Sequence, residues 1–423
     1  MSAHQSDTDT AVATLPNGVR VVTIRMPHTD SASVSVFVRT GSRNESPRLN
    51  GISHVVEHMA FKGTHRRDAH RLNLDAERLG AQVNAHTDKD HTAYHIAGLA
   101  KHAGTFVQML GDIVRGSTFP ADELERERQV ILQELAEVDD DPLSTAFDLF
   151  DRLCFGKHPL AQPVIGTRRN IERFTRDDLL GYVEHQYTGE NVVVGVAGDI
   201  EPAAIVTAVR SAFGSMARGQ ANAVAAPSFV GGVKARRQAG SSQSHVVLGF
   251  PVPALQGDHH AALVAAALFG EGMSSPLMHE IREKRGLAYH ASCSADVADV
   301  WGLFVVEASM APQHLGEFFG EVGKLLVAQT TATDRVGLER ARNQILVRRL
   351  QARERPWRRL EDAAQDLFTF GRVRGRDELA ARIKAVTPAQ VRKVFARMLA
   401  AGPAVAVAGR VGAGFAEVAS LKL

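Results

Sequence analysis

His54, Glu57 and His58 stand at a spacing that can hold and use a metal ion. The run His54-Val55-Val56-Glu57-His58 has the form His-x-x-Glu-His, the reverse of the commoner His-Glu-x-x-His zinc motif. On a helix, residues four apart leave the same face about one turn apart. Two neutral imidazoles so placed can reach one Zn²⁺ at about 2.0–2.1 Å. Glu57, three residues after His54, shares that face and suits a base acting on water. With 18 histidines in 423 residues and glutamate at roughly 0.06 of positions, chance supplies about 0.04 such matches.

A catalytic zinc takes three protein ligands and keeps a fourth position open. A carboxylate from a second helix is the natural third. Residues 121–139 read as a long, charged helix, and within it Glu127 and Glu134 lie seven residues, two turns, apart on one face. Either can serve. His86, His91 and His95 fall in two strand-like segments around the turn Asp88-Lys89-Asp90. They are read as half-exposed strand side chains rather than further ligands.

The elements around the motif follow from local pattern. Residues 15–24 read as strand, Asn17-Gly18 turn, strand, and residues 31–39 alternate with period two. A loop over 41–47 leads to the His54 helix, with Asn50 or Ser53 as its cap. Asp68 to Leu79 is an amphipathic helix stopped by Gly80, and residues 105–116 form another.

Composition excludes several classes. Hydrophobic content of 44% and charged content of 23% suit a globular protein. Net charge is +2, from 49 basic and 47 acidic residues, with no basic stretch of the kind that binds nucleic acid. No apolar run approaches membrane-spanning length; the best is Ala261 to Phe269. The first residues carry Asp7 and Asp9 and lack the basic and apolar regions of a signal or transit peptide. Two cysteines, Cys154 and Cys293, imply no disulfide framework. The expectation is a cytoplasmic protein with no nucleic-acid or membrane partner.

The chain also contains itself twice. Leu124 to Leu132 returns at Leu338 to Leu346, an offset of 338 − 124 = 214, and the same offset takes Pro142 to Pro356. Thr175 to Asp199 returns near Thr387 to Arg410. This is a duplicated unit of about 200 residues, not a solenoid period. The expected fold is α+β: two homologous halves, residues 1–215 and 241–423, each a largely antiparallel sheet with helices on it, joined by a linker over 216–240. At offset 214, His54 falls on Leu268, His58 on Gly272, Glu57 on Glu271, Glu127 on Ala341 and Glu134 on Arg348. The second copy keeps the apolar framework and loses the histidines and both helix glutamates, so one metal per chain is expected.

His54 to Thr64, Val83-Asn84-Ala85 and Glu127 to Glu134 resemble the pitrilysin/insulinase family of inverted zincins. The likeness runs closest to the mitochondrial processing peptidase β-subunit and its bacterial single-chain relatives. It implies a clam-shell of two halves and a zinc metalloendopeptidase that takes peptides or unfolded segments as extended strands in the chamber between them. It assigns zinc to His54, His58 and Glu134, the general base to Glu57, and support of the zinc site to Glu127. Asn84 and Ala85 resemble the family's substrate-holding edge strand. Arg282 and Tyr289 resemble the pair by which the inactive half reaches substrate, with Arg285 a further candidate. Both motifs on one chain imply a homodimer. The stretch Leu268 to Ser275 is shorter and less glycine-dense than the mitochondrial lid loop. A non-catalytic core subunit of a respiratory complex, or a peptide-binding protein of the same fold, is the alternative.

Overall fold

The computed structural model describes residues 9–412. In chain order its elements are β1 (Thr10–Thr14), β2 (Arg20–Arg25), β3 (Ser31–Val38), α1 (Ile52–Ala60), α2 (Ala69–Glu77), β4 (Gln82–Thr87), β5 (Thr92–Leu99), α3 (Ala103–Gly116), α4 (Ala121–Asp140), α5 (Pro142–Phe155), α6 (Arg168–Arg173), α7 (Arg176–Gln186), β6 (Val192–Gly198) and α8 (Pro202–Phe213). There follow β7 (Gly232–Arg237), β8 (Ser244–Pro251), α9 (His260–Gly270), a π-helical segment (Met278–Lys284), β9 (His290–Val297), β10 (Gly302–Met310), α10 (Leu315–Thr331), α11 (Arg335–Arg353), α12 (Pro356–Phe370), α13 (Arg376–Ala385), α14 (Pro388–Ala401) and β11 (Ala404–Gly409).

Two sheets repeat one plan. The first has the order β1-β2-β6-β3-β5-β4 and the second β7-β11-β8-β10-β9. Set β1 aside and the strands correspond one to one. Neighbours are antiparallel. The exceptions are β2 with β6 and β7 with β11, which are parallel. The duplicated sequence is thus a duplicated α+β fold.

The chain divides into two compact units that are not contiguous in sequence. One holds residues up to 135, 162–224 and 351–376; the other holds 136–161, 225–350 and 377 onward. They differ from the contiguous halves read from the repeat by an exchange of helices. Leu360, Ala363, Ala364 and Leu367 form one stripe of α12, and they pack on Val22, Ile24, Phe37, Val193 and Ala197 of the first sheet. Ala146, Phe150, Leu153 and Cys154 of α5 pack on Val247, Leu303, Val305 and the alanines of β11 in the second sheet. On the other face of that sheet Val246, Leu248 and Phe250 pack with Phe269, Phe318 and Phe395. In the first unit α3 lies against β3 and β5. Helical periodicity tells a stripe from a polar face but not which sheet the stripe will cover.

Residues 217–231 carry neither helix nor strand. The expected linker over 216–240 is otherwise part strand, since β7 lies inside it at the edge of the second sheet. No helix among the described residues is long and apolar enough to cross a membrane.

Candidate metal centre

α1 is set in place by a carboxylate from outside it. Gly51 enters the helix at φ 98°, where a Cβ would come 2.8 Å from the Gly166 Cα and the Ile165 carbonyl oxygen. Neither Asn50 nor Ser53 caps it as expected. Glu45, 1% exposed, accepts from Gly51 N–H at 2.8 Å and Asn50 Nδ2 at 3.1 Å on one oxygen, and from Ser53 N–H at 2.8 Å on the other. A carboxyl group with two oxygens at a helix N-terminus satisfies more orphan donors than one hydroxyl or amide can. Burial pushes the Glu45 carboxyl up, while its hydrogen bonds to Ser53, Gly51 and Asn50 pull it down. Tyr182 on α7 holds the Ser53 hydroxyl at 2.7 Å and the Thr40 hydroxyl at 2.7 Å. Ile52, Val55, Val56 and Met59 are buried, which turns His54 and His58 toward α4.

There the two imidazoles meet Glu134. His54 Nε2 lies 3.6 Å from Glu134 Oε1, and His58 Nε2 lies 3.5 Å from Glu134 Oε2. Both separations exceed a hydrogen bond. Both are close to the ~3.3 Å expected between ligands set tetrahedrally at 2.0–2.1 Å around one ion. The three ligand atoms all lie within 4.8 Å of one another. Two neutral nitrogens and a carboxylate form a borderline-soft donor set that fits zinc. Burial, reinforced by the neighbouring His58, holds His54 neutral with its pKa pushed down to about 3. Its Nδ1 is buried with no hydrogen-bond partner among the described residues.

Glu127 stands one layer out. Its Oε2 accepts from His58 Nδ1 at 3.1 Å, and its Oε1 pairs with Lys62 Nζ at 2.5 Å. A proton held on Nδ1 leaves Nε2 as the lone-pair nitrogen, the form a metal requires. The two glutamates that share a face of α4 therefore have separate tasks. Glu134 faces both imidazoles, and Glu127 faces the back of one.

Glu57 points to the strand side of the same helix. Thr87, at the end of β4, donates to Glu57 Oε2 at 2.7 Å. Burial pushes the Glu57 carboxyl up, and the Thr87 hydroxyl and His58 partly offset this. β4 is an edge strand, paired in the sheet with β5 alone. Asn84 is exposed on it and accepts, through its side-chain oxygen, from Ala85 N–H at 2.8 Å.

Arg282, Arg285 and Tyr289 belong to the second unit. Tyr289 is 83% exposed, and the Arg282 guanidinium lies 5.8 Å from its ring centre. Arg282 lies in the last turn of the π-helical segment, a geometry that recurs at functional sites. Arg285 is held otherwise, by Glu280 at 3.7 Å, Glu317 at 3.0 Å and Glu321 at 3.1 Å. The second copy's equivalent positions need one correction. α9 begins 260 − 52 = 208 residues after α1 and ends 270 − 60 = 210 after it, because the loops between the elements differ in length. His54, Glu57 and His58 therefore fall within residues 262–268, all alanine, leucine or valine, and not on Leu268, Glu271 and Gly272. α4 and α11 do keep the offset 335 − 121 = 214. Arg348, opposite Glu134 in that register, pairs with Glu271 at 2.5 Å.

Two sheets that share one strand order once β1 is set aside, and a His-x-x-Glu-His helix facing a second helix's carboxylate, are the features of a duplicated metallopeptidase fold. Residues 20–168 match the insulinase (peptidase family M16) domain, and residues 173–344 match the peptidase M16 inactive domain. An uncharacterized zinc protease of Rickettsia bellii is 30% identical over 401 residues, covering 94% of this chain and 97% of its own. One from Bacillus subtilis is 37% identical over 280 residues, covering 65% and 68%. A protease from Helicobacter pylori superposes with a TM-score of 0.87 at 22% identity, over 95% of this chain and 99% of that one. A chain of complex III2 from Candida albicans shares the fold with a TM-score of 0.83 at 18% identity, over 98% and 97%. The chain belongs to the M16 (insulinase) peptidase family, and its relatives' names support a zinc metallopeptidase.

Proposed function

We propose that the chain is a zinc-dependent endopeptidase that cleaves peptides or unfolded segments bound as an extended strand. His54, His58 and Glu134 are the ligands, Glu57 is the general base, and Glu127 positions His58. The observation that carries this reading is the pair of His–Glu134 separations, too long for hydrogen bonds and right for a shared ion. Bound there, Zn²⁺ supplies Lewis acidity and makes water nucleophilic near neutral pH. Thr87 fixes one oxygen of Glu57, leaving the other to take a proton from the attacking water. Because Thr87 belongs to β4, a substrate strand added to that edge would be in register with the base. Asn84 and Ala85 are the edge positions that would hold its backbone. The inactive half's substrate contact is assigned to Arg282 and Tyr289. Arg285, occupied by three glutamates, is the weaker member of that group.

The test is Glu57→Gln, with a quenched peptide as substrate and zinc measured per chain. Loss of hydrolysis by at least about 10²–10⁴-fold with zinc retained is the expected result. Near-normal turnover in that variant would overturn the mechanism. Zinc absent from the unmutated protein and no peptide cleavage, with any peptide binding indifferent to chelators, would leave a non-catalytic core subunit or peptide binder in its place.

A further inference from the structure

The β4–β5 hairpin has two chemical faces. Thr87 points to α1, and its neighbour His86 points to the opposite face, where α12 packs. On that face three histidines join in one chain of contacts. Asp88 Oδ2 lies 3.1 Å from His91 Nδ1, and His91 Nε2 lies 3.3 Å from His86 Nε2. His86 Nδ1 lies 3.1 Å from His95 Nε2, and His95 Nδ1 lies 2.8 Å from the Ser35 hydroxyl. Glu361 of α12 closes the group, its Oε1 3.9 Å from His86 Nε2. Arg358 holds the other Glu361 oxygen at 2.8 Å. The ligand atoms of His86, His95 and Glu361 all lie within 4.8 Å of one another.

We infer that this face is a second metal site, separate from the His54 centre, for a divalent ion of the zinc, copper and nickel class. Its ligands are His86, His95 and Glu361. Two imidazoles with a carboxylate are a donor set for such ions. The outer contacts select this triad over the neighbouring one of His86, Asp88 and His91. A ligating imidazole must present one nitrogen as a lone pair and give its other N–H to a partner. Here both far nitrogens have partners. His95 Nδ1 can donate to Ser35, while His86 Nε2 can donate to His91, whose Nδ1–H is in turn held by Asp88. That leaves His86 Nδ1 and His95 Nε2 facing each other at 3.1 Å, close to the edge of a zinc tetrahedron, while Glu361 lies 3.9 Å from the other nitrogen of His86 and must turn its carboxylate toward this pair to bind the same ion. The triad is also the less exposed one, with Glu361 at 19% against 46% for Asp88. Its ligands come from β4, β5 and α12, so an ion there would tie α12 to the hairpin that carries Thr87.

The experiment uses the full chain with the first centre disabled by His54→Ala and His58→Ala. After equilibration with Zn²⁺ alone and removal of free metal, zinc per chain is measured, with circular dichroism as the check on folding. One equivalent should remain, and adding His86→Ala should remove it. Glu361→Gln, which keeps the shape of that half-buried side chain on α12, should weaken the retained zinc more than tenfold, and Asp88→Asn should weaken it less. No retained zinc in the folded double variant would overturn the site and leave a hydrogen-bonded histidine relay. Loss on Asp88→Asn with none on Glu361→Gln would overturn the ligand set. Failure of the His54 assignment is distinguishable: zinc content would then be the same before and after the double substitution, yet still fall with His86→Ala.

Discussion

Glu127→Gln isolates what one proton on His58 does for metal binding. The substitution keeps shape and burial but gives Glu127's place one acceptor and one donor instead of two acceptors. Glu127 is 8% exposed and serves two donors, His58 Nδ1–H at 3.1 Å and the Lys62 ammonium at 2.5 Å. If the amide oxygen faces His58, the NH₂ group faces an ammonium. If it turns to satisfy Lys62, the NH₂ group faces His58 Nδ1. Nδ1 must then accept, and the proton moves to Nε2, the nitrogen that points to Glu134. Either orientation weakens the metal-binding form of His58. Loss of such an outer partner lowers zinc affinity by about 10–100-fold, or ~1.4–2.7 kcal/mol. Competition against a chromophoric chelator reads this directly. Lys62→Met in the Glu127→Gln background should recover most of the loss, since the amide can then offer its oxygen to His58 unopposed. Unchanged zinc affinity in Glu127→Gln, or no recovery in the double variant, would refute the tautomer argument.

Glu134→Gln removes the carboxylate that faces both imidazoles, so zinc and activity should be lost together; full occupancy by metal analysis would make Glu127 the third ligand instead. Gly51→Ala forces a Cβ against the Gly166 backbone at a φ of 98°, and urea unfolding should show a loss of about 2 kcal/mol or more. A stability change below ~0.5 kcal/mol there would mean the helix entry relaxes freely. Tyr289→Phe should lower kcat with zinc content unchanged if its exposed hydroxyl donates to the oxyanion that develops in the transition state. Unchanged kinetics would leave Tyr289 without that role.

The His54-Glu57-His58 face, the turn at Asn17-Gly18 and the helix stop at Gly80 could be read locally, because each rests on periodicity or on one residue's backbone preference. The capping of α1 could not. Glu45 is separated from the helix by a loop, and nothing in the spacing of Asn50 and Ser53 shows that a buried carboxylate takes over their task. His86, His91 and His95 were legible one by one but not as a group. An antiparallel hairpin with its turn at residues 88–90 sets their register, and that signal was available. The arrival of Glu361 from α12 was not.

By itself the amino-acid sequence determined the His54-Glu57-His58 face, the duplication and the absence of those residues from the second copy. These depend on residue identity at helical spacing and on an offset within the chain. Tertiary structure decided which glutamate of α4 faces the imidazoles and which stands behind His58. It also decided that α5 and α12 cover sheets far from them in sequence, and that the equivalent of Glu57 lies among alanines, leucines and a valine rather than at Glu271. The physical reason is common to all three. A helix carries its apolar stripe and its polar face as local properties, but their partners are selected by long-range burial, and loop lengths shift the register between copies without changing the pattern of either.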